Sequence, residues 1–440
     1  MMEQNARYVA FRALERCEKD KAWSAAALDS LLRSSGLSER DTALATRLFL
    51  GVLQNENLLD ARLDLFCKSK TEPRLRLILR LGAYQLLFLD KIPAHAAVSE
   101  TVDLCRAAGL DRGASLVNAV LRRLAENKDH LPPIPGEGSA AYLSLRYSHP
   151  LWLAEKLVRE LGYAQTEAFF RANNETAPLC IQVNRLRVSP EEYLRSLDRL
   201  GISYRVFSEL PGCVELAGGK VTALPGYEDG LFYVQDRAAR AALQAAGAKP
   251  GMRILDACAA PGGKSFAAAL DAEGNCSLKS CDLHEKKLRL IREGADRLGL
   301  GPCVETLALD ARNYQPEWDS SFDLVLADVP CSGLGVIRKR PEIRKKKEED
   351  LRSLPGIQSA ILDNLCRYVK PGGVLLYSTC TVLREENGDQ IRAFLEKHPD
   401  YTAEDFAVGE IRSVNGCYTF WPQQDGTDGF FAARLKRKET

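Results

Sequence analysis

Apolar positions in the first ~130 residues recur at intervals of three and four, as in Tyr8, Phe11 and Leu14, in Leu44, Leu48 and Val52, and in the longer run through Leu75, Leu79 and Leu86. That spacing places them on one face of a helix. No alternating strand pattern interrupts it, Pro73 suits a helical first turn and Pro93 falls in a connection, so several short helices forming an all-α domain are expected over 1–135. The segment LPPIPGEGS, residues 131–139, concentrates Pro and Gly, and a linker is expected over 136–149. From 150 to 245 the pattern changes to helix over Leu151 to Leu161, strand over Leu179 to Val188, helix over Pro190 to Leu200, and short strands around Tyr204, Val214 and Tyr233. This predicts a small mixed α/β subdomain. Beyond Pro250, the strand-like runs RILDAC, LKSCDL, VETLALD, FDLVLAD and GVLLYSTC alternate with helical stretches such as Glu285 to Leu298 and Ile357 to Val369. Such alternation predicts a parallel sheet covered on both faces over 246–440, with ligands at the carboxyl ends of its strands.

Composition narrows the class without naming a function. The chain has 440 residues, 45% of them hydrophobic and 27% charged, enough for two or three packed domains. No apolar stretch reaches the roughly 20 residues that cross a bilayer, and the start mixes both charge signs, so a cytoplasmic protein is expected. Thirteen cysteines without a CxxC pair read as free thiols. The net charge of +1 is evenly spread, with 21 Lys/Arg against 18 Asp/Glu over 1–150 and 27 against 29 over 251–440, so global charge does not mark a nucleic-acid binder. One basic cluster stands out: Arg338, Lys339, Arg340, Arg344, Lys345, Lys346 and Lys347.

The candidate chemistry lies at the strand ends. RILDAC runs into AAPGGKS, placing Asp256 at a strand end and Pro261, Gly262 and Gly263 in a tight turn before a helix starting near Lys264. This is neither a GxGxxG loop nor GxxxxGK[ST], which demotes nicotinamide and nucleoside-triphosphate ligands. Asp282, Asp310 and Asp328 end the next three strands. A carboxylate after the second strand suits a ribose diol, one after the third can reach the amino edge of a base, and one after the fourth sits where substrate and cofactor meet. Cys331 and Cys380 follow the fourth and fifth strands, and two cysteines at the ligand edge argue for thiol chemistry. Zinc is disfavoured because the five histidines show no paired spacing.

DACAAPGGKS, FDLVLADVPCSG, YSTCT and DGFF resemble the motifs of the RNA (cytosine-5)-methyltransferases, and LRLGAYQLLFLDKIPAHAAVSETVDL with SLVNAVLRR resembles the NusB-like RNA-binding domain. The pairing is similar to the bacterial 16S rRNA (cytosine-5)-methyltransferase B family over nearly the whole chain. The resemblance implies a Rossmann-like S-adenosylmethionine methyltransferase domain, an N-terminal all-α NusB-like domain, and an RNA-facing subdomain between them. It implies Cys380 as nucleophile toward cytosine C6, Cys331 as the thiol assisting product release, and Asp328 as a partner of the cytosine. It also implies S-adenosylmethionine bound by Cys258, Ala259, Ala260, Pro261, Gly262, Gly263 and Lys264, with Asp282 at the ribose, Asp310 at the adenine and Asp328 beside the reacting methyl. The implied partner is 16S rRNA or a small-subunit assembly intermediate, with a monomer as the default and no metal. Arg338, Lys339, Arg340 and Arg185 are candidate RNA contacts; Asn184, Arg185 and the Gln235–Asp236 pair read equally as caps and turn formers. Two positions depart from the family: Val329 stands where Ala is commoner, and KKKEED follows the basic run where relatives carry an aromatic residue. The rival readings are a tRNA cytosine-5 methyltransferase, an RNA-binding assembly factor with a vestigial methyltransferase domain and, weaker, a small-molecule N-methyltransferase, which needs no thiol.

Overall fold

The structure is a computed structural model that describes residues 5–20, 24–67 and 70–439; the outer limits of the expected first and last domains, residues 1 and 440, lie outside the described residues. The chain forms two compact units, one of residues 1–175 with 337–350, the other of 176–336 with 351–440.

The first unit is helical. Seven helices from Ala6–Asp20 to Ala114–Asn127 bury the apolar faces read from the sequence, with Phe11, Leu14, Leu48, Phe49, Ile78, Leu79 and Leu121 in one core. Pro73 opens Pro73–Phe88, where its missing N–H costs nothing. The expected linker holds a further helix, Ala140–Tyr147, capped by the Ser139 hydroxyl accepting from the Tyr142 N–H. Leu151–Leu161 and Tyr163–Ala172 also lie in this unit, Leu153, Ala154 and Leu157 of the first being turned inward.

The basic run belongs here as well. Pro341–Lys345 is a short 3-10 turn in which Pro341, Ile343 and Arg344 are buried. The Arg344 guanidinium donates to the carbonyl oxygens of Gln54 and Asn173 and to Asn174 Oδ1, the last at 2.6 Å. Burial alone pulls its pKa down. Lys345 pairs with Glu56 at 3.2 Å. Arg344→Ala would strand several buried acceptors at once, so we expect the helical unit to lose about 3 kcal/mol in urea unfolding. A loss below about 1 kcal/mol, as at an ordinary surface site, would show that the pinning is incidental.

The second unit carries a smaller sheet, a larger sheet and a separate strand pair. The smaller is antiparallel, in the order β2 (Tyr204–Val206), β3 (Cys213–Leu216), β1 (Leu179–Val183), β4 (Phe232–Val234). The larger runs β10 (Tyr401–Ala403), β14 (Phe430–Arg437), β9 (Val369–Thr379), β8 (Phe322–Asp328), β5 (Arg253–Asp256), β6 (Ser277–Asp282), β7 (Val304–Ala308), with β13 (Cys417–Phe420) on β14 and a separate two-residue pair, β11 (Ala407–Val408) and β12 (Ile411–Arg412). β5 to β9 are parallel as expected, but β14 pairs antiparallel with β9 through Phe431 opposite Thr379, so the sheet is mixed. β8 explains the continuous apolar run of FDLVLAD: Leu324 and Leu326 enter the core on one face, Val325 and Ala327 that on the other.

Candidate active site

The parallel strands end side by side, and their last residues with the loops after them form one constellation. After β5 the chain turns through Cys258 to Lys264, fixed by the Ala259 N–H donating to the Cys281 carbonyl at 2.7 Å and the Gly262 N–H to the Ala259 carbonyl at 2.7 Å. Gly262 has φ +113°, and a Cβ there would meet the Phe266 ring, so only glycine fits. At Gly263 such a Cβ would meet Gln235 Nε2 at an ordinary contact distance of 3.8 Å, and the same amide donates to the Gly263 carbonyl at 3.0 Å where the helix Gly263–Asp271 begins.

Asp256 is fully buried and accepts from the Ser265 hydroxyl at 2.7 Å, which in turn contacts Ser280 at 2.8 Å. Burial lifts its carboxyl, and Asp328 adds to the lift against Ser265 and Lys264, leaving it at about 7. Lys264 Nζ donates to Asp328 Oδ2 at 2.6 Å, and Ser378 Oγ to Asp328 Oδ1 at 2.8 Å. Burial opposes the charge on Lys264, but Asp328, Asp256 and Cys380 together hold its pKa above the ordinary lysine value. Its ammonium also stands 5.2 Å from the Phe430 ring centre.

Cys331 and Cys380 meet, with their sulfur atoms 3.3 Å apart. The hydrogen bond with Cys380 is the main cause pushing the Cys331 thiol well above the usual range, followed by burial, the charge of Cys380, and the carboxylates of Glu386 and Asp328. That direction favours the proton on Cys331. Three segments are cross-linked behind it: the Gly335 N–H donates to the Cys380 carbonyl at 2.9 Å, and the Gly429 N–H of DGFF to the Gly335 carbonyl at 2.8 Å. Val329 is buried in the core, its N–H donating to the Ser378 carbonyl at 3.2 Å, so the larger side chain is absorbed by packing.

Asp282 is buried and accepts from the His284 N–H at 2.9 Å. Asp310 is bound by Arg312 at 2.6 Å, which holds its carboxyl below the usual range. Cys258 is pushed well up by burial and then by Asp256, Asp328 and Asp282, so it stays a neutral thiol. The four candidate RNA contacts divide. Arg338 is buried, Lys339 and Arg340 are exposed, all three in the first unit, and Arg185 pairs with Asp271 at 2.7 Å. Asn184 and Asp236 act as clamp and cap: Asn184 donates to the Gly230 and Leu298 carbonyls, and Asp236 accepts from the Ala238 N–H. Among the described residues no group of three or more His, Cys, Asp or Glu could hold a metal, and no helix is long and apolar enough to cross a membrane.

Family models match three segments: the NusB family over 4–126, the RsmF/B-like ferredoxin-like domain over 149–222, and the 16S rRNA methyltransferase RsmB/F model over 244–436. The chain is 34% identical, over 100% of both sequences, to a probable ribosomal RNA small subunit methyltransferase B of Bacillus subtilis, and 33% identical to ribosomal RNA small subunit methyltransferase B of Escherichia coli, over 99% of each. This chain belongs to the RsmB/F methyltransferase family. Membership makes it an S-adenosylmethionine-dependent RNA methyltransferase. A crystal structure titled PH0851 covers 99% of both chains at a TM-score of 0.84 and 25% identity. NSun6 from Pyrococcus horikoshii, solved with SFG, shares the fold over 65% of this chain and 97% of its own, with a TM-score of 0.59 and 21% identity.

The RsmB/F site also contains residues that strand-end reasoning passed over. Ser378 lies two residues before Cys380 and orients Asp328, while Glu386 and Gln358 touch the Cys331 loop from elements distant in sequence. A count back from Cys380 would have found Ser378, which lies in β9 one residue before its end. Glu386 carries no such signal, because REENGD reads as a solvated turn.

Proposed function

We propose that this chain methylates C5 of a cytosine in 16S rRNA through a transient bond between Cys380 Sγ and cytosine C6. The observation that carries the reading is the 3.3 Å contact of the two thiols beside the Lys264–Asp328 pair. Methyl transfer to oxygen or nitrogen requires no thiol, whereas C5 of cytosine is a poor nucleophile until a thiolate adds at C6.

S-adenosylmethionine, when bound, supplies an electrophilic methyl group on a sulfonium. The donor set fits it: amides of the Cys258–Lys264 turn, and carboxylates at Asp282 for a diol and Asp310 for an amino edge. The chain's own residues do the rest. Cys331 donates its proton toward Cys380, and the Lys264 ammonium favours negative charge there, so Cys380 is the member that attacks. Its electron pair forms the Sγ–C6 bond, the C5–C6 pair moves onto C5, and N3 takes a proton. Asp328 spends one lone pair on Lys264 and one on Ser378, leaving others for the protonated N3 edge. Once Cys380 is bonded to carbon its charge is gone, and with it the main influence holding the proton on Cys331. Cys331 then gives its proton to solvent and, as the thiolate, takes the C5 proton; the C5–H pair re-forms the C5–C6 double bond, N3 releases its proton, and the C6–Sγ pair returns to Cys380.

The NusB-family match and the relatives' names favour 16S rRNA, and the exposed Lys339 and Arg340 suit phosphate contact. Purified protein with S-adenosylmethionine should yield 5-methylcytidine in protein-free 16S rRNA and not in bulk tRNA, read by mass spectrometry of nucleoside digests. Product in tRNA alone would overturn the substrate and keep the chemistry. No product in tRNA, rRNA or isolated small-subunit assembly intermediates would overturn both.

A further inference from the structure

The two thiols are chemically identical, so something outside them has to divide their roles. Cys331 is gripped on both sides. Gln358 Nε2, from the helix Leu354–Leu365, donates to the Pro330 carbonyl at 3.0 Å, and the Ser332 N–H donates to Glu386 Oε2 at 2.8 Å. The grips are joined, because Gln358 Nε2 also donates to Glu386 Oε2 at 2.9 Å. Glu386 is itself held, its carbonyl accepting from the Tyr377 hydroxyl at 2.6 Å, three residues before Cys380 in sequence. Ser332 and Thr381, each just after one of the cysteines, are hydrogen-bonded at 2.6 Å.

A neutral side chain could hold the Ser332 N–H as well. Nature of the group is therefore the informative point: Glu386 is 1% exposed, its Oε2 meets two N–H donors and no cation among the described residues, and its Oε1 has no partner. Burying a carboxylate without a countercharge is expensive. Its field falls on Cys331, the ionisable group whose loop it grips. We infer that Glu386, set by Gln358, is a positioning residue that fixes the Cys331 loop and adds its charge to the groups that favour a protonated Cys331, leaving the nucleophile's role to Cys380. The other charged or titratable groups facing Cys331 are Cys380 itself, Asp328 at the end of β8 and Tyr377 of β9, with Lys264 facing Cys380 and Asp328. Of these, Glu386 is the one bonded to the Cys331 loop without also serving Cys380 or Asp328.

The assignment rests on the covalent reading for its biological meaning, but its test does not. In a Cys380→Ala background, Cys331 is left to react with iodoacetamide, and the peptide carrying it is quantified by mass spectrometry over a pH series. Glu386→Gln keeps the shape and an acceptor for Ser332 and removes the charge. Cys331 should then alkylate at lower pH, about tenfold faster near pH 8. Gln358→Ala should loosen the loop and raise the rate at every pH without moving the midpoint. An unmoved profile in Glu386→Gln, or the same displacement in both variants, would overturn the role. If the covalent reading alone is wrong, no RNA adduct forms in Cys331→Ala, yet the alkylation profiles still separate.

Discussion

Cys380→Ala should remove 5-methylcytidine formation by on the order of 10⁴-fold or more and abolish any covalent RNA adduct, while the fold and cofactor affinity persist. Cys331→Ala should do the opposite to the adduct, which forms and then accumulates as a species stable in denaturing gels. The contrast follows from the contact at 3.3 Å. Removing Cys380 removes the electron pair that activates C5. Removing Cys331 leaves Cys380 with Lys264 and the same path to attack, but without the neighbouring thiol that takes part in release. Exchange of the two phenotypes would exchange the roles, and loss of both methylation and adduct in both variants would make the pair a single unit. Activity retained in Cys380→Ala would end the nucleophile assignment.

Strand ends were legible because the residues that end a strand and begin the next loop are contiguous, so one short motif carries both the geometry and the chemistry. β5 with DACAAPGGKS, β8 with DVPC and β9 with STC were each complete in a stretch of ten residues or fewer. What escaped depends on contacts between distant segments. β14 reads as FFAARLKR, an apolar start and a charged end, and its antiparallel place beside β9 follows from pairing rather than from its own pattern. Arg344 sits in a run of charges that suggests solvent, yet Pro341 and Ile343 just before it are buried and carry it inward. The pattern held a clue, two apolar residues spaced by two inside the basic run, that charge obscured.

Asp256 gives the largest expected dependence of stability on pH. Its carboxyl is lifted from 3.8 to about 7, chiefly by burial. An acid whose folded value is raised binds its proton more tightly folded than unfolded, so the stability it contributes is fully present below 3.8 and is lost as the pH rises through the folded value near 7. Three units at about 1.4 kcal/mol each make this loss about 4 kcal/mol by pH 8. Asp256→Asn cannot titrate, yet its amide oxygen can still accept from Ser265. The variant should therefore gain on the wild type by about 4 kcal/mol between pH 4 and pH 8, read from urea unfolding followed by hydrogen exchange at the β5 amides. Lys264 bears on the outcome, since its ammonium draws Asp256 toward the charged form and is itself engaged by Asp328. Lys264→Met should widen the gap, because the buried carboxyl then loses the cation nearest to it. A difference that stays constant with pH would mean that Asp256 titrates like an exposed carboxylate, and that the charge at the end of β5 is held by Ser265 and the turn rather than suppressed by burial.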